Sequence, residues 1–134
     1  MMNRPDTLAE VARRATADPA SLHNALAGFL DMFYTQPERR QGMIDPAPEL
    51  TGDAILDATL GAIGEHLARR WKLKIPAWTD DPARFLTRPY FPTPLEDLKP
   101  LLIAQSPLAF RRRMIFVEHE PLRRARMPVE HSAR

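Results

Sequence analysis

Apolar residues recur at three- and four-residue steps along two stretches of the chain, and these stripes set the expected architecture. Leu22, Leu26, Phe29, Leu30 and Phe33 fall on one face of a helix over residues 19–34. Asp18-Pro19 supplies a cap followed by proline at the first helical position, where its missing N–H is no loss. Leu56, Leu60, Ile63, Leu67 and Trp71 step by four, three, four and four, which predicts a longer helix over 53–72, capped by Thr51 or Asp53. These stripes should share one core. Gly61 and Gly64 each cost up to ~1 kcal/mol against alanine inside a helix, so a second helix is expected to pack closely there.

Weaker patterns fill the rest. Leu8, Val11, Ala12 and Ala15 predict a short first helix capped by Asp6. The segment Thr35–Gly52 contains three prolines and no sustained period, so it reads as a loop held by Met43, Ile44 and Leu50. From Leu73 to Pro94, repeated proline forbids long helix while Trp78, Phe85, Leu86, Tyr90 and Phe91 demand burial. That predicts a wrapping segment with one helical turn after Asp81-Pro82. Thr93-Pro94-Leu95-Glu96 matches a capping box, so a helix is expected to start there and to break near Lys99 at Pro100. Ser106-Pro107 offers another start, for Leu108 to Arg113. Met114 to Val117 reads as extended loop rather than strand, and Pro121 should open a last short helix through Arg126. The expected fold is all-α: one domain over residues 1–126, a helical bundle of four to six helices with a long proline- and aromatic-rich wrapping segment, followed by a frayed tail over 127–134.

Composition narrows the class. At 134 residues, 44% hydrophobic and 27% charged, the chain can bury one core, and disorder is not expected despite a mean hydropathy of -0.37. The absence of cysteine removes disulfides, thiolate zinc sites and thiol nucleophiles. No apolar run approaches the length of a membrane span or a signal peptide, so a soluble, cytoplasmic protein is expected. Abundant arginine, alanine and proline follow GC-rich codons and point to a bacterial source.

Candidate chemistry is sparse. The four histidines, His23, His66, His119 and His131, show no metal-ligand spacing. His66 reads as a solvated helical residue, and His119, between Glu118 and Glu120, as part of a solvated loop. Asp80-Asp81 and Glu96-Asp97 sit beside prolines and read as helix caps; Asp53 and Asp57, one turn apart, read as a wet face. No glycine loop resembles a phosphate cradle, and GxSxG is absent. No catalytic residue, cofactor site or metal site is expected, and the chain does not read as an enzyme. Trp71, Trp78, Phe85, Tyr90 and Phe91 are interleaved with proline rather than basic residues, which favours an aromatic core over a base-stacking platform.

The strongest charge feature is Arg111-Arg112-Arg113 followed by Arg123, Arg124 and Arg126. Residues 1–98 carry 11 basic and 14 acidic side chains, whereas 99–134 carry 8 and 3, so the positive charge is concentrated late in the chain. The six arginines are candidate partner-binding residues, with Phe110 as an apolar anchor beside them. Guanidinium reads carboxylate and phosphate alike, so three readings stand: a solvated surface, an acidic protein partner, or DNA or RNA.

Leu67-Ala68-Arg69-Arg70, Ile75-Pro76-Ala77-Trp78-Thr79, Ser106-Pro107 with Phe110 to Arg113, Ile115-Phe116-Val117 and Leu122-Arg123-Arg124-Ala125 resemble a family of small uncharacterised bacterial proteins. The resemblance runs from Ala54 to Arg126. Members are often encoded beside a nucleotidyltransferase-like protein, an arrangement similar to toxin–antitoxin modules. It implies a noncatalytic interaction module, an antitoxin-like or regulatory partner in a bacterial two-gene system. A basic DNA- or RNA-binding accessory protein is the alternative.

Overall fold

Thr7, not Asp6, opens the first helix: its hydroxyl oxygen accepts from the Glu10 amide at 3.1 Å. The computed structural model describes residues 3–128, so most of the expected frayed tail, and His131 with it, lies outside the described residues. It is all-α, with six helices among the described residues: α1 (Leu8–Ala17), α2 (Leu22–Thr35), α3 (Arg40–Ile44), α4 (Ala54–Arg70), α5 (Lys99–Gln105) and α6 (Leu108–Arg111).

Helices α1 and α2 pack against each other across a short connection in which the Asp18 carboxylate accepts from the Ala20 amide and Pro19 starts a 3-10 turn. Buried Leu8, Val11 and Ala12 of α1 meet Ala25, Phe29, Leu30 and Phe33 of α2 in the main core. Of the two predicted stripes, Phe29, Leu30, Phe33, Leu60, Ile63 and Leu67 are buried, and Leu22, Leu26, Leu56 and Trp71 are half-buried against the same cluster.

The predicted loop after Thr35 holds a 3-10 turn at Pro37–Arg39 and then α3. Five residues are too few to display a period, which hides α3 from pattern reading. Its Arg40 folds back on α2, donating to the Phe33 and Tyr34 carbonyls at 2.7 and 3.1 Å and stacking over the Phe33 and Trp71 rings. It therefore satisfies carbonyls that the end of α2 leaves open. Met43 and Ile44 are buried as expected, but Leu50 is 50% exposed and does not tie the segment down.

Helix α4 is the centre of the molecule. The Asp53 carboxylate caps it by accepting from the Ile55 and Leu56 amides, and Lys72 at φ 60 closes it, with the Leu73 amide donating back to Ala68. Every turn from Asp57 to Ala68 carries buried residues, because α1, α3, α6 and two 3-10 turns, Ala77–Asp80 and Pro82–Arg84, surround it. Here the expected wet face fails. Asp57 is buried and accepts from the Thr51 amide and hydroxyl, Glu65 is buried, and His66 lies beneath the Phe110 ring instead of in water.

The close approach predicted at Gly61 and Gly64 is real, but its partner is not a helix. A Cβ on Gly61 would lie 2.9 Å from the Arg84 Cβ, and one on Gly64 would lie 2.9 Å from the Trp78 ring. Trp78 in turn donates its indole N–H to the Ile44 carbonyl. Thr93-Pro94 does not start a helix. A 3-10 turn spans Glu96–Leu98, and Pro100 sits in the first turn of α5 rather than breaking it, since a first-turn proline loses no hydrogen bond.

After α6, Met114 at φ 64 turns the chain into one parallel bridge between Ile115 and Tyr90. Residues 121–126 form turns, not the expected helix. They are nevertheless fastened to α2: the buried Tyr34 hydroxyl donates to the Leu122 carbonyl at 2.8 Å, and Arg124 pairs with Asp31.

Candidate interaction surfaces

The six candidate arginines separate into different environments. Arg113 is 0% exposed; it donates to the Glu65 carboxylate at 2.7 Å and to the Ala109 and Thr79 carbonyls, with Phe85 stacked on its guanidinium. Arg112 lies beside the same carboxylate at 3.3 Å and reaches Asp80 at 2.9 Å, while Arg69 donates to the second Glu65 oxygen. Burial pushes the Glu65 carboxyl up, but hydrogen bonds from Arg113 and Arg69 outweigh it and hold the group below the ordinary carboxylate range.

Arg124 makes a two-pronged pair with Asp31 on α2, at 3.0 and 2.9 Å. The Arg124 hydrogen bonds, helped by the nearby positive charges of Arg124, Arg4 and Arg126, lower the Asp31 carboxyl although burial pushes it up. Arg111, Arg123 and Arg126 face solvent, with Arg111 donating to the Ser106 carbonyl at 3.3 Å. Arg112 and Arg113 thus converge on Glu65, Arg124 serves a different carboxylate, and only Arg111, Arg123 and Arg126 point their charge outward.

A groove absent from the sequence reading runs between α1, α2 and the segment leading to α4. Its larger part, about 970 Å³, is lined by Arg4, Arg14, Ala25, Gly28, Glu49 and Leu50 among others. A second part of about 490 Å³ shares Thr16 and Thr51 with it and continues past Leu22 and Ile55 to Tyr90 and Pro92. Small residues of the helices form much of the wall, and charges of both signs stand on it: Arg4, Arg13 and Arg14 with Glu10, Asp18 and Glu49.

Helix α5 forms another surface. Leu102 is its one buried side chain, while Leu101 and Ile103 are 51% and 47% exposed, and Leu95 and Leu108 on either side of the helix are similarly open. The buried Phe110 anchors α6 as expected. His23 and His119 are exposed, and no cluster of three His, Asp or Glu able to hold a metal occurs among the described residues. Compared with known proteins, the chain matches no family model, no curated protein and no solved structure.

Proposed function

We propose that this chain is a noncatalytic interaction module, an antitoxin-like or regulatory partner in a bacterial two-gene system, which receives a segment of a partner protein in the groove beside α1 and α2. The observation that carries the reading is the groove itself. Its two parts share Thr16 and Thr51 as wall residues, and the larger combines apolar side chains with both signs of charge, the combination that fits a peptide segment rather than a uniformly anionic polymer. Three of the six late arginines, Arg112, Arg113 and Arg124, are occupied within the fold, which weakens the case for a broad phosphate-binding face. The resemblance makes a nucleotidyltransferase-like protein encoded beside this chain the first partner to test.

Asn24 is exposed on α2 and lines the groove without entering the core. Asn24→Trp should therefore fill the groove and weaken capture of that partner by about tenfold or more at unchanged thermal stability. Equal affinity in parent and variant, measured calorimetrically, removes the groove from the reading. Exposed Arg111, Arg123 and Arg126 favour the alternative, a DNA- or RNA-binding accessory role. Three phosphate contacts would give an affinity that falls with a log–log salt slope of about −3.

A further inference from the structure

We infer that α5 is a self-association surface through which two copies of this chain pair, with their α5 helices antiparallel. At 100° per residue, the face opposite buried Leu102 consists of Pro100, Leu101, Ile103 and Ala104. All four are exposed and none is polar. From Pro100 to Gln105 the helix carries no charge at all, unlike an ordinary solvated helix, whose outer face is charged. Small Pro100 and Ala104 lie at the middle of that face, with larger Leu101 and Ile103 at its flanks, so another helix can approach closely. Leu95 and Leu108, 59% and 46% exposed, extend the apolar area beyond both ends.

Charge selects a second copy as the occupant. Glu96 and Asp97 stand exposed before the N-terminal end of α5, with Glu96 held by Lys99 at 2.5 Å and Asp97 in no ion pair among the described residues. Arg111 stands at the opposite end, its guanidinium on the carbonyl of Ser106, the residue that ends the helix. The surface is therefore acidic at one end, apolar in the middle and basic at the other. A two-fold axis across α5 sets the acid of each copy against the arginine of the other and apolar face against apolar face, which is the self-complementarity an isologous interface needs. The surface is separate from the groove of the proposed function, so either can fail without the other.

Sedimentation velocity over a wide range of protein concentration tests the pairing. The parent chain should show a concentration-dependent doubling of mass. Leu101→Glu with Ile103→Glu should remain a monomer throughout, at unchanged helicity and melting temperature. Asp97→Arg and Arg111→Glu should each weaken dimerisation about tenfold or more. Mixing those two single variants should restore it, because each then offers the charge that the other lacks. A parent that stays monomeric overturns the inference, as does a dimer that survives the double glutamate substitution or a mixture that fails to recover. If Arg111→Glu does not fold, Asp97→Arg mixed with Arg111→Ala replaces that arm, and the mixture must dimerise more strongly than Asp97→Arg alone.

Discussion

Arg113 and Glu65 meet at 2.7 Å, and neither side chain is more than 1% exposed. The pair is not symmetric. Glu65 has further cationic neighbours in Arg69 and Arg112, whereas Glu65 is the one carboxylate within ion-pair distance of Arg113 among the described residues. Removing one partner of a buried pair typically costs ~3–5 kcal/mol because the other is stranded. Glu65→Leu should therefore destabilise more than Arg113→Met, and the double variant should lose less than the two single losses added together. Denaturant titration of the three variants checks the order; equal single losses would contradict it.

Acid should unfold the protein by two routes with the same sign. Burial lowers the His66 imidazole from its ordinary 6.5, Glu120 opposes that shift, and Arg70 adds to it. The unfolded chain thus takes up this proton first, and stability falls as pH drops below the unfolded value. The lowered carboxyls of Glu65 and Asp31 extend the loss further into acid, since their ion pairs are present above the ordinary carboxylate range and vanish as pH falls through the folded values. Melting temperature measured against pH should show both phases. His66→Gln should flatten the near-neutral phase and leave the acidic one.

Two glycine substitutions should act in opposite directions. At Gly64 an added methyl meets the Trp78 ring at 2.9 Å, so Gly64→Ala should cost ~1–3 kcal/mol despite its better helix propensity. Gly42 lies in α3 with nothing within 4 Å of an added Cβ, and Gly42→Ala should stabilise by ~0.4–1 kcal/mol. Thermal melts of both variants test the contrast.

Arg124 behaves as a structural residue. On sequence alone, reversing Arg112 and Arg124 together is expected to leave stability nearly unchanged, as for any exposed charge. Yet Arg124 holds Asp31, whose side chain is only 13% exposed, with two hydrogen bonds. Arg124→Glu should lower the melting temperature by several degrees, with Asp31→Asn partly rescuing it. A melting temperature matching the parent's would return Arg124 to the solvated surface.

What could be read from the sequence followed periodicity. The Phe29–Phe33 and Leu60–Leu67 stripes and the Asp53 and Asp81 caps could be found because each rests on local spacing. The buried polar residues could not, because amphipathic reading assumes that a helix has a wet side, and α4 has almost none. Gly61 and Gly64 did carry a signal: Gly61 leaves room for Arg84 and Arg113, and Gly64 for Trp78. What remained hidden was that side chains, not a second helix, fill that room. The groove also escaped, since its walls come from segments far apart in the chain.

The fastening of α2 by residues 122–124 bears on how the protein is made. Tyr34 waits for a partner 88 residues further along, and Asp31 for one 93 residues on. During synthesis, α1 and α2 emerge long before these partners, so the Tyr34 hydroxyl and the Asp31 carboxylate must stay hydrated while translation proceeds. The Tyr34 and Asp31 side of α2 is closed only once residues 122–124 are available, so a chaperone or protease that meets the chain earlier finds that side uncovered.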